Sequence, residues 1–141
     1  MNRQCSKIVL NIITIILLAV SVGAEALPRD LLDSQANRYL ELLDQGQYEE
    51  AWQKMSILFM TLNDQQQWQG QQQTIRATYG PLSSRQLSRI SYRQSYHLSP
   101  DGQYVIVQHN SVYQNKAKTV ETVVFDCHND HECSIREYII K

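Results

Sequence analysis

The spacing of apolar residues changes partway along this chain. From Leu31 to Tyr79 they recur every three or four positions, and from Leu82 to Ile140 they alternate with polar ones. The first spacing puts a stripe on a helix and the second puts a face on a strand, so the chain reads as helices followed by strands. The first helix, LLDSQANRYLELLD, carries Leu32, Ala36, Tyr39, Leu40 and Leu43 on one side. QGQ at Gln45 to Gln47 ends it, with Gly46 free to turn left-handed. The second, YEEAWQKMSILFM from Tyr48 to Met60, aligns Tyr48, Ala51, Trp52, Met55 and Phe59, and sets Glu49 and Glu50 at the positive end of its dipole. The third, NDQQQWQGQQQTIRATYG, is capped by Asn63 or Asp64 and stopped by Gly80 and Pro81. Its stripe is thin (Trp68, Gln72, Ile75, Tyr79), and its glutamines predict a polar, exposed face.

The alternating half opens with LSSRQLSRISYRQSYHLS, a long strand from Leu82 to Ser99. Leu87 is out of phase there with Ile90, Tyr92, Tyr96 and Leu98, which predicts a bulge near Ser88 and Arg89. SPDG at Ser99 to Gly102 is a turn, QYVIVQHNSVYQ the next strand, and NKAK at Asn115 to Lys118 a second turn. TVETVVFDC and CSIREYIIK form the last two strands. Four strands joined by short turns make an antiparallel meander, and the helices must cover one of its faces. The predicted fold class is α+β, with N-terminal helices packed on a curved four-stranded antiparallel sheet.

What precedes the helices differs in kind. Arg3 and Lys7 lead into IVLNIITIILLAVSV, Ile8 to Val22, and then into small residues that suit signal peptidase at Ala24 or Ala26. We read residues 1–26 as a signal peptide and 27–141 as a single domain. An uncleaved anchor is the alternative, but the run falls short of the roughly 20 apolar residues that span a bilayer. No stable membrane span is expected after cleavage, and the chain is expected to be periplasmic or secreted. Loss of Arg3, Lys7 and Glu25 moves the net charge from −1 to about −2, which argues against nucleic acid as a partner because no dense basic face is available. Of the three cysteines, Cys127 and Cys133 stay in the domain, an even number suited to an oxidising compartment.

Candidate chemistry is sparse. The chain holds no nucleophile elbow, phosphate loop, zincin helix or dinucleotide fingerprint. We therefore expect no catalytic residue and no cofactor. DCHNDHEC, Asp126 to Cys133, concentrates two cysteines, two histidines and three acids. Facing positions in a hairpin suit a Cys127–Cys133 disulfide. A metal site using the cysteines with His128 and His131 is a weaker alternative, because four ligands would crowd one octapeptide. Redox chemistry is weaker still, since no C-x-x-C is present. His97 and His109 are assigned to strands, where a histidine is more often a packing residue than a catalyst; either could serve as a general base if an acid lay beside it. Trp52 and Trp68 fit core positions. Arg76 ends the third helix, and Arg85, Arg89 and Arg93 share a strand face unless the bulge splits them, so they are either solvated or line an anion-binding hollow.

Several segments in order resemble the DUF4019 family of small bacterial proteins of unknown function. They are LDQGQYEEAW (Leu43 to Trp52), Trp68, Arg76, YGPLSSR (Tyr79 to Arg85), DGQYVIVQHNSVYQNK (Asp101 to Lys116), ETVVF (Glu121 to Phe125) and the closing REYIIK. Family members usually carry a glycine-rich turn and a tryptophan in the final hairpin, where this chain has DCHNDHEC and Ile135. The resemblance implies an exported domain of the cystatin-like or NTF2-like kind and supplies no activity. The expectation is a periplasmic, non-catalytic binding or protein-interaction module for an unknown protein or small ligand, with Trp68, Arg76, Arg85 and Tyr92 as the binding candidates. The alternatives are an enzyme of NTF2-like type using a strand histidine, and metal binding at residues 126–133.

Overall fold

The computed structural model describes residues 28–129 and 132–141. The proposed signal peptide lies outside them. Helix α1, Arg29–Asp44, buries the five residues of its predicted stripe. Gly46 at φ +72° closes it: Gly46 N donates to Leu43 O (3.2 Å) and Gln47 N to Leu42 O (2.8 Å), satisfying two carbonyls that the helix end leaves open. Helix α4, Gln65–Tyr79, starts at Asp64, whose carboxylate accepts from Gln67 N at 2.8 Å, and stops at Gly80. No helix among the described residues is long and apolar enough to cross a membrane.

The expected single helix from Tyr48 to Met60 is instead two, α2 at Tyr48–Trp52 and α3 at Ile57–Leu62. The break comes from a distant strand. Ile135 N donates to Lys54 O (2.9 Å) and accepts, through its carbonyl, from Ser56 N (2.7 Å), so Met55 bridges to the last strand. These bonds replace the helical ones lost at the break, and Ser56 Oγ restarts the helix by accepting from Phe59 N. Ala51, Trp52 and Met55 still face the core; Phe59 is only half-buried.

The sheet is the predicted meander, in the order β1 (Leu82–Arg93), β2 (Tyr104–Tyr113), β3 (Lys116–Asn129), β4 (Glu132–Ile140), antiparallel throughout. The described residues are therefore α+β, with four helices and four strands among them. The bulge predicted near Ser88 lies between Leu87 and Arg89. It splits the arginine row: Arg85 turns toward the helices opposite Ser111, while Arg89 and Arg93 are exposed.

Two boundaries differ from expectation. β1 ends at Arg93, so His97 is not in a strand; it sits exposed in a turn at φ +39°. Residues 94–103 fold back over one end of the outer sheet face and hide Tyr104: Tyr104 OH donates to Pro100 O (2.6 Å), and Tyr96 OH donates to Glu137. These two partly buried hydrogen bonds hold the loop where further strand would otherwise run. The second turn is tighter and earlier than NKAK, with only Gln114 and Asn115 between Tyr113 and Lys116. Their amides donate to Pro81 O and Tyr79 O, which seats the turn on the α4–β1 junction.

Candidate functional site

The core row of β3 contains an anomaly. Alternation turns Glu121 toward the helices together with Val123, Phe125 and Cys127, and its side chain has 0% exposure. A carboxylate removed from water is costly unless it is paired and hydrogen-bonded. Glu121 meets both conditions. Oε2 accepts from Arg85 Nε (2.7 Å) and Ser111 Oγ (2.5 Å). Oε1 accepts from the hydroxyls of Tyr113 and Tyr138 (2.8 Å each) and from Arg76 Nη2 (3.4 Å).

A second carboxylate closes the cluster from the other side. Asp44, at the last turn of α1, pairs through Oδ1 with Arg76 Nε (3.0 Å) and through Oδ2 with Arg85 Nη1 (2.9 Å). Arg76 also donates to Tyr138 OH (2.9 Å) and lies 5.5–5.7 Å from the ring centres of Tyr138 and Tyr113, within cation–π reach. Two guanidinium groups face two carboxylates, so the formal charge balances. The contributing residues come from α1, α4 and all four strands, and the cluster ties these elements at one point.

The protonation states follow. Burial alone would raise the Glu121 carboxyl, but the hydrogen bond and charge of Arg85, helped by Ser111 and Tyr113, hold it below the ordinary glutamate value. Burial pulls Arg76 and Arg85 down, yet their anionic and phenolic partners win and both are raised. Burial, then the charge of Glu121, raises Tyr113 and Tyr138, so both phenols stay neutral donors.

The four binding candidates do not form one site. Arg76 and Arg85 meet in this cluster. Trp68 is buried in the core against Trp52, with ring centres 5.4 Å apart. Tyr92 is 45% exposed near the far end of β1, roughly 20 Å along the strand from Arg85. Asp44, Ser111, Tyr113, Glu121 and Tyr138 were not among the candidates. The available signal was phase: Glu121 alternates with Val123 and Phe125, which puts a charge in the buried register.

Of the histidines, His109 is buried on β2 with Nε2 2.7 Å from Asp33 Oδ1 of α1. Its Nδ1 has no hydrogen-bond partner among the described residues. Cys127 and Cys133 lie at disulfide-bonding distance, with Cα atoms 4.3 Å apart. The His128 side chain and the whole of His131 lie outside the described residues, and no group of three or more metal-ligating side chains occurs among those described.

A family model described as a protein of unknown function, DUF4019, matches residues 35–138. No curated protein and no solved structure matches the chain.

Proposed function

The chain belongs to the DUF4019 family, and from that premise we propose that it is an exported, non-catalytic module that works by binding a protein on the outer face of its sheet. The observation that carries this reading is the closed charge balance of the Glu121 cluster. Each guanidinium and carboxylate there holds another, and the shifts move them away from neutrality, whereas acid–base catalysis needs a group poised near the working pH. The cluster reads as a clamp that keeps the helices on the inner face. Beyond the 94–103 loop no other described residue covers the outer face, where Val112 (38% exposed) and Val120 (40%) stand among Gln86, Asn110 and Lys118 around a hollow of about 420 Å³. Mixed apolar and polar composition of this kind suits a protein interface.

Export is supported by the apolar run from Ile8 to Val22 and by the cysteine pair, which together favour the periplasm or the exterior. We read the fold as cystatin-like or NTF2-like, in which helices lie across an antiparallel sheet. A photo-crosslinking residue at Val112 or Val120, introduced in exporting cells, is expected to give one discrete protein adduct. The same residue at Leu98 or Ile57 is expected to give none. Equal labelling at all four positions, or no adduct from the outer face, overturns the reading.

One observation favours a second reading, an enzyme with His109 as general base: the carboxylate of Asp33 within hydrogen-bond reach. That reading requires a turnover that His109→Gln abolishes while circular dichroism shows the fold retained.

A further inference from the structure

A cleft of about 240 Å³ lies between α1 and the disulfide end of the β3–β4 hairpin, on the helix side of the sheet. Its floor is apolar, made by Tyr39 and Leu42 of α1, Phe125 of β3 and Ile135 of β4. The Tyr39 hydroxyl is occupied by Met55 Sδ (3.3 Å), so the ring contributes as a hydrocarbon surface. Arg38 and Lys54 stand at this cleft, both exposed, and no carboxylate joins them among the described lining residues. Arg38 donates to a neutral acceptor, Ser34 Oγ (3.2 Å), and neither cation has an ion pair among the described residues.

The walls are built in advance. The main-chain bonds of Ile135 with Lys54 and Ser56 lock the far wall to the α2–α3 break. A ligand entering a pre-organised cleft avoids the cost of ordering it. The volume is below the roughly 300–1,000 Å³ of drug-sized pockets. At about 30 Å³ per water it corresponds to about eight waters, room for a ligand of about ten non-hydrogen atoms. Two cations with no carboxylate partner among the described residues, over an apolar floor, complement a molecule with an anionic head and a hydrocarbon body.

We propose that this cleft binds a small amphipathic monocarboxylate, with its body on the Tyr39–Phe125–Ile135 floor and its carboxylate between Arg38 and Lys54. The proposal extends the binding reading to a site on the opposite side of the sheet from Val112 and Val120. Either can therefore fail without the other.

The test is a titration of the disulfide-bonded protein, followed by backbone amide NMR shifts, with octanoate, 3-phenylpropionate, 1-octanol and octylamine. Both carboxylates are expected to shift Leu42, Phe125 and Ile135 saturably, with octanol and octylamine about tenfold weaker or more. Tighter octanoate assigns the site to acyl chains, and tighter phenylpropionate assigns it to aryl acids. The Arg38→Gln/Lys54→Gln double variant alters only exposed side chains. It is expected to weaken both carboxylates about tenfold while leaving octanol unchanged. Octanol binding as tightly as octanoate, carboxylate binding unchanged in the double variant, or shifts centred away from the cleft would overturn the proposal.

Discussion

Arg85 Nε donates to Glu121 Oε2 at 2.7 Å, with the carboxylate fully buried and the guanidinium nearly so. That single bond joins β1 to β3 across β2, and through the other arm of Arg85 it reaches Asp44 of α1.

Glu121→Gln removes one charge from a balanced set of four and leaves two guanidinium groups facing Asp44 alone. Breaking a buried pair in this way costs about 3–5 kcal/mol. Urea denaturation is expected to show a lower midpoint with an unchanged slope; a shift equal to that of a surface glutamate variant would contradict the clamp.

The same carboxylate sets an acid limit. Its pKa is depressed in the folded state, so the unfolded chain binds the extra proton first as pH falls. Stability from this group is complete above the ordinary glutamate value of about 4.3 and is lost as pH drops through the lower folded value. Melting temperature against pH is expected to fall steeply in that acid window for the native chain and less steeply for Glu121→Gln.

Arginine identity is expected to matter at Arg85 and not at Arg89. Lysine at Arg85 keeps the charge but cannot reach Glu121, Asp44 and Tyr113 together, a loss of about 1–3 kcal/mol. Arg89→Lys on the exposed side of the bulge is expected to stay within about 0.5 kcal/mol. Paired denaturation curves separate the two.

Two glycines are expected to respond with opposite sign. Gly80 has φ +74°, and an added Cβ would come 3.0 Å from Asn115 Nδ2, so Gly80→Ala is expected to destabilise by about 1–2 kcal/mol. Gly70 is helical with nothing within 4 Å, so Gly70→Ala is expected to stabilise by up to about 1 kcal/mol. Thermal melts of the two variants test both signs.

Reduction, or the Cys127→Ala/Cys133→Ala variant, removes a cross-link that closes a short loop, worth about 2–3 kcal/mol by chain entropy. Intact-mass measurement of the unreduced, purified protein is expected to show a deficit of two hydrogens and no metal. A metal-bearing mass without that deficit would instead favour ligation within residues 126–133.

Much of this protein was readable one segment at a time. The stripe of α1, the Asp64 cap, the stop at Gly80, the meander, the bulge beside Arg89 and the pairing of Cys127 with Cys133 all rest on near neighbours, and periodicity, turn chemistry and spacing record near neighbours directly. The tertiary structure alone decided where distant groups meet. The Tyr48–Met60 helix breaks because Ile135 supplies main-chain bonds from far along the chain, and no residue inside that segment announces this except Ser56. Residues 94–103 leave the strand for the same kind of reason, drawn onto Tyr104 and Glu137. The clamp is the clearest case. Arg76 and Arg85 were visible as charges, but whether they met solvent, a ligand or Glu121 depended on strand order, on the phase of β3 and on where α1 ends. A buried charge is tolerable only when its partners converge, and that convergence is a property of packing that local sequence does not carry.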